Sequence, residues 1–96
     1  MAQAVDTPEA VQAALTATQF VQILLSPEDI TDVRVEEFQP SSDGTSWLVT
    51  VGFLRPEVIQ PLKYLEGVKT RFRDYKVVTI DKSNGKAISM RNREGE

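Results

Sequence analysis

The chain has 96 residues, a net charge of −3, and neither cysteine nor histidine. That length makes one domain, and the missing residue types exclude a disulfide framework, thiolate or imidazole metal sites, and a histidine general base. No apolar run reaches the ~18 residues of a membrane-spanning helix, and Met1–Asp6 lacks a signal-peptide pattern, so the expectation is a cytoplasmic protein in a reducing compartment.

The charge is uneven along the chain. Residues 1–60 hold two basic and nine acidic side chains, whereas residues 61–96 hold nine basic and five acidic ones. Either the halves neutralise one another across neighbouring strands, or the basic half forms a binding patch.

Thr7-Pro8-Glu9 opens a helix. Thr7 is a capping residue, Pro8 suits the first turn, and Glu9 faces the positive end of the dipole. The helix is expected to run to about Leu25, where Ser26-Pro27 stops it. At 100° per residue, Val11, Ala14, Leu15, Thr18, Val21 and Leu25 share a broad apolar face, which Ala10, Ala17 and Leu24 widen, and Gln12, Thr16 and Gln19 form a narrow polar wedge. Phe20 and Ile23 lie away from it. No charge occurs between Glu9 and Glu28, although the outer face of a helix on a monomer surface normally carries charges.

Pro27 to Asp32 reads as a loop with a helical turn. A strand follows over Val33–Phe38, with Val33 and Val35 inward. Pro40 to Thr45 has the composition of a hairpin loop. Trp47, Val49, Val51 and Phe53 then alternate along the clearest strand, leaving Leu48, Thr50, Gly52 and Leu54 on its other side. Pro56 and Pro61 mark a loop from Arg55 to Gly67. A strand over about Thr70–Asp81 turns Phe72, Val78 and Ile80 inward. Asp81–Gly85 is a tight connection, and a last strand from Lys86 to about Asn92 turns Ile88 and Met90 inward. The expected fold is α+β: one N-terminal helix packed on a four-stranded antiparallel β-meander, a single domain over 1–96 with flexible tails at 1–6 and 93–96.

The chemistry-bearing residues do not assemble a reaction centre. Ser41, Ser42 and Asp43 sit in a turn, where such side chains bond to local backbone. Glu36 and Glu37 are adjacent on a strand and are expected to point to opposite faces. Glu28, Asp29 and Asp32 lack calcium-loop spacing. The expectation is no enzyme activity, no metal and no cofactor.

Two surface features remain. If Asp81–Gly85 is a five-residue loop, Val78 faces Ile88, Tyr75 faces Arg91 and Arg73 faces Arg93. Arg71, Arg73, Arg91 and Arg93 then share the uncovered sheet face with Tyr75. Arginine beside an aromatic on an open sheet is one way to hold single-stranded nucleic acid. The same face carries Leu48, Leu54, Tyr75 and Val77. Together with the Phe20–Ile23 side of the helix, these are candidate contacts to another chain, of which a twofold homodimer is the simplest.

The stretch Val78-Thr79-Ile80-Asp81-Lys82-Ser83-Asn84-Gly85-Lys86-Ala87-Ile88 resembles the closing hairpin of PepSY domains. In that family an aliphatic strand ends in Asp, Gly follows four residues later, and a second strand begins; Asp81 and Gly85 match. The resemblance implies a helix followed by a strand meander, a link to the modulation or inhibition of peptidases, and an extracytoplasmic setting. It transfers no functional residue. The expected function is a small non-catalytic protein-interaction module that self-associates. The alternatives are a nucleic-acid-binding module using the arginine face and a PepSY-like peptidase regulator.

Overall fold

The computed structural model describes the backbone of residues 8–57 and 70–93 and the side chains of residues 8–55 and 72–93. The tail expected at 1–6, residues 94–96 of the tail expected at 93–96, the Thr7 cap, the loop through Pro61 and the Arg71 side chain lie outside these residues.

One helix, α1 (Pro8–Leu24), is followed by a short 3-10 turn at Ser26–Glu28 and four strands: β1 (Thr31–Pro40), β2 (Ser46–Glu57), β3 (Thr70–Asp81) and β4 (Ala87–Asn92). The strands form one antiparallel sheet in the order β1-β2-β3-β4. The helix covers one face and touches all four strands. This is the expected α+β arrangement.

The alternation read along β2 is the alternation found. Val49, Val51 and Phe53 are fully buried against α1, joined by Val78 and Ile80 from β3. Burying one such side chain contributes about 1.5–3 kcal/mol. Trp47 closes one end of this core, with its ring 4.9 Å from that of Phe38 and the Lys82 ammonium 4.2 Å above it. Arg55 closes the other end, lying over Phe53 and paired with Glu28 and with Asp74 at 3.3 Å.

The buried stripe of the helix coincides with the expected face only in part, and lies toward its small-residue margin. Ala10, Ala13, Ala17, Val21 and Leu25 are buried, whereas Val11 and Leu15 are 55% and 50% exposed. Phe20, placed off the main face by the sequence pattern, packs against the core. The sheet supplies the bulk here through Phe53, Ile80 and three valines. The helix therefore approaches with its small residues, and its larger aliphatics are left outside.

Three features of the strands also differ. Pro56 lies within β2, opposite Arg71. The pairing of β1 with β2 ends at Thr31 and Leu54, so beyond that point one side of β2 is an edge, where a residue without an N–H is tolerated. Secondly, β1 starts at Thr31 and carries two irregularities, one between Thr31 and Arg34 and one between Val35 and Glu37. Asp32, in the first, takes a left-handed φ of 53°. Thirdly, Val78 pairs with Met90 and Val77 with Arg91, two residues from the expected register. The Asp81 N–H bonds to the Lys86 carbonyl, which moves the register by one. An irregularity between Thr79 and Ile80 moves it by another. Ile88 falls at that point and is 59% exposed instead of inward.

Candidate interaction surface

The face of the sheet away from α1 has no helix or strand over it among the described residues. Cross-strand pairing lays its residues out in rows. One row runs Glu37, Thr50, Val77, Arg91, and the next runs Gln39, Leu48, Thr79, Ser89. In a third, Gly52 pairs with Tyr75. In a fourth, Thr31, Leu54 and Arg73 line up. The four apolar interface candidates therefore do share this face. Val77 is 7% exposed, and Leu48, Leu54 and Tyr75 are half-buried.

What buries them is a layer of long polar side chains. Arg73 crosses β2 to reach β1. Its guanidinium donates to Glu36 Oε2 at 2.8 Å, to Asp32 Oδ2 at 3.0 Å and to the Asp32 carbonyl at 3.1 Å. Arg34 donates to the same Asp32 carboxylate at 2.6 Å. The path is open because β2 has a glycine there. Glu36 lies across Gly52, so that a Cβ on Gly52 would stand 2.6 Å from Glu36 Oε2. The guanidinium of Arg93 stacks on Tyr75, 3.9 Å from the ring centre. Glu37 accepts a hydrogen bond from Thr50 at 3.4 Å.

Glu36 and Glu37 thus both lie on the open face, against the expectation of opposite faces. The irregularity between Val35 and Glu37 supplies the reason. An extra residue in β1 breaks the alternation, so two consecutive side chains leave on one side. Arg34 and Arg73 hold the Asp32 carboxyl below its ordinary value. Of the three acids weighed for a cation, Glu28 and Asp32 each face arginine, and no group of acids among the described residues could hold a metal.

Three of the four patch arginines can be placed. Arg73 is engaged by carboxylates, Arg93 covers Tyr75, and Arg91 is exposed at the β4 edge. Arg91 and Glu37 form no ion pair among the described residues. Between them runs a shallow trough of about 340 Å³, floored by Leu48, Thr50 and Val77 and edged by Glu37, Gln39, Arg91 and Arg93. Thr50 lies where the alternation along β2 placed it, whereas sequence reasoning missed Glu37 as a member of this surface. The signal that would have found Glu37, a one-residue insertion in β1, leaves no mark in the hydrophobic pattern.

On the helix side, Ile23 is 71% exposed and borders a groove with Phe20, Gln19 and Ala87. A second groove, of about 280 Å³, lies between α1 and β1 and is lined by Ala10, Val11, Ala14, Val35 and Phe38. A cleft of about 180 Å³ beside Trp47 and Ile80 is smaller than the ~300–1,000 Å³ of small-molecule sites. No helix among the described residues is long and apolar enough to cross a membrane.

Comparison by family profile, by curated sequence and by solved structure gives no match to the chain. The hairpin that carries the PepSY resemblance closes through local bonds. Gly85 N–H donates to the Asp81 carbonyl at 2.7 Å, and the Asp81 carboxylate accepts from Ser83. Those bonds close a turn and name no partner.

Proposed function

We propose that this chain is a small non-catalytic interaction module that self-associates through the open face of its sheet. One observation carries the reading. The face is broad and carries no covering element among the described residues, and a middle strip of Leu48, Thr50, Gly52, Leu54, Tyr75 and Val77 lies between Glu37 at one edge and Arg91 at the other. Apolar contact area flanked by arginine is the usual make-up of a protein interface. The non-catalytic part rests on the sequence, which offers neither histidine nor cysteine. The cysteine-free composition also favours a cytoplasmic location.

The helix side supports association less well. Val11, Leu15, Ile23 and Leu24 are about half exposed or more, but they spread around the helix instead of forming one plane. Scattered exposed aliphatics are normal on monomers. Nucleic-acid binding is also weaker on the same face, because Arg93 occupies the aromatic ring on which a base would stack and Arg73 is held by two acidic residues.

Sedimentation velocity on the purified chain tests the reading. A dimer is expected at micromolar concentration. Leu54→Glu should convert it to monomer with an unchanged far-ultraviolet circular-dichroism spectrum, while Leu15→Glu should leave it intact. A monodisperse monomer at high micromolar concentration sinks the reading. Dissociation by Leu15→Glu but not by Leu54→Glu moves the contact to the helix.

A further inference from the structure

The sheet edges limit how a second copy can approach. β1 carries two irregularities, a left-handed Asp32 and a terminal Pro40. β4 is six residues long and has its own irregularity beside Ile80. Bulges, proline, charge and short length are the devices that stop edge-to-edge sheet extension. A second copy is therefore expected to meet the face and not the edge.

The net charge on that face is sorted by strand. Arg34 and Arg73 face Asp32 and Glu36 at the β1 edge, which leaves Glu37 there without an ion pair among the described residues, and Arg91 and Arg93 stand at the other edge, on β4 and just beyond it. Three strand spacings, about 14 Å of backbone, separate the edges. Glu37 and Arg91 lie in one row, both exposed and both without an ion pair among the described residues.

Two sheets stacked face to face about a twofold axis have two simple arrangements. With the axis across the strands, β1 lies over the partner's β1, and each edge meets a copy of its own net charge. With the axis parallel to the strands, β1 lies over the partner's β4, and each row faces the same row reversed. Symmetry repeats every contact, so the first arrangement doubles a repulsion and the second doubles an attraction.

Taking self-association through this face as given, we infer that the partner is a second copy of this chain docked with its twofold axis parallel to the strands, so that Glu37 of each copy meets the partner's Arg91. Stacked sheets lie about 10 Å apart, a gap that a glutamate and an arginine reaching from opposite sides can span. In the same arrangement Thr50 faces the partner's Val77, and the Glu36 side chain over Gly52 faces the partner's Arg93 stacked on Tyr75. The trough floored by Leu48 and Val77 closes against its own counterpart.

The test is a charge swap read as a dimer dissociation constant. Both residues are exposed, so reversing either leaves the fold intact, which circular dichroism checks. Glu37→Arg alone and Arg91→Glu alone should each weaken the dimer by ~10-fold or more, since each sets like charges together twice. An equimolar mixture of the two variants should recover parental affinity to within ~3-fold, because both contacts in the mixed dimer pair opposite charges. Loss in each variant with no recovery in the mixture overturns the axis while leaving the face. Parental affinity in both variants, with Leu54→Glu still dissociating, also overturns the axis. A parent chain that is monomeric removes the reading on which the inference rests.

Discussion

Gly52 is the position at which one missing atom group decides what the open face can hold. A Cβ there would stand 2.6 Å from Glu36 Oε2 and 2.9 Å from Glu36 Cγ. Moving the carboxylate tip alone does not relieve the second contact, so the whole Glu36 side chain must leave, and its 2.8 Å pair with Arg73 goes with it. Gly52→Ala is therefore expected to cost about 1–3 kcal/mol, the usual range for overpacking, as measured by urea titration. In a Glu36→Ala background the clash is absent, and alanine is favoured over glycine in a strand by about 0.5–1 kcal/mol. The same substitution should then be neutral or stabilising. Equal costs in both backgrounds would show that Glu36 does not occupy the space over Gly52. Burial of Phe53, Val49 and Val51 was legible in the sequence because alternation alone assigns it. The role of Gly52 was not, because it depends on a neighbour's side chain that an irregularity in β1 redirects.

The helix is the element whose extent could be read and whose orientation could not. Pro8 and Ser26-Pro27 mark its ends, and α1 runs from Pro8 to Leu24. The pattern of large aliphatics pointed to Val11 and Leu15 as the buried side. Burial instead follows Ala10, Ala13, Ala17 and Val21, since a sheet face already filled with Phe53 and Ile80 leaves room only for small side chains. With no charge between Glu9 and Glu28, only the narrow wedge of Gln12, Thr16 and Gln19 marked the outer face, and it left the position of Val11 and Leu15 open. Two substitutions separate the orientations. Ala17 is fully buried, so Ala17→Leu should destabilise by about 1–3 kcal/mol. Leu15 is half exposed, so Leu15→Gln should change stability by no more than about 0.5 kcal/mol. The reverse ranking in urea titrations would restore the orientation expected from the pattern. The β3–β4 register was hidden for a related reason. Past the irregularity that exposes Ile88, a shift of two residues returns each side chain to its own face, so the pattern around Val78 is satisfied by Ile88 or Met90 alike.

At the scale of the whole molecule, the order of one helix and four strands was legible, and so was the uneven charge, but not how the fold resolves it. The acidic first half and basic second half meet through Arg73, which ties β3 to Asp32 and Glu36 on β1, while Arg55, a basic residue of the first half, bridges Glu28 and the second-half acid Asp74. Two further carboxylates hold the hairpins at one end of the sheet. Asp43 accepts from Ser41 Oγ at 2.7 Å, from the Thr45 N–H at 3.1 Å and from Thr45 Oγ1 at 2.8 Å. Asp81 does the same for Ser83. The two turns are joined by the Lys82 N–H bonding to the Thr45 carbonyl at 3.0 Å. These bonds favour the charged form, so the Asp43 carboxyl is lowered to about 2 from an ordinary 3.8 and Asp81 is lowered as well, while Arg34 and Arg73 lower Asp32. A carboxyl with a lower value in the folded chain than in the unfolded one leaves the unfolded chain holding more protons in the interval between them. Its stabilisation is complete above 3.8 and is lost as pH falls toward about 2. The urea midpoint should therefore drop between about pH 5 and about pH 2, with the loss concentrated below about pH 4. Asp43→Asn keeps a side-chain acceptor in the turn but removes the titration. It should lower the midpoint near pH 5 and narrow the gap between the two pH values. A gap of parental size in Asp43→Asn would show that the first hairpin contributes nothing to acid sensitivity, leaving Asp32 and Asp81 to account for it.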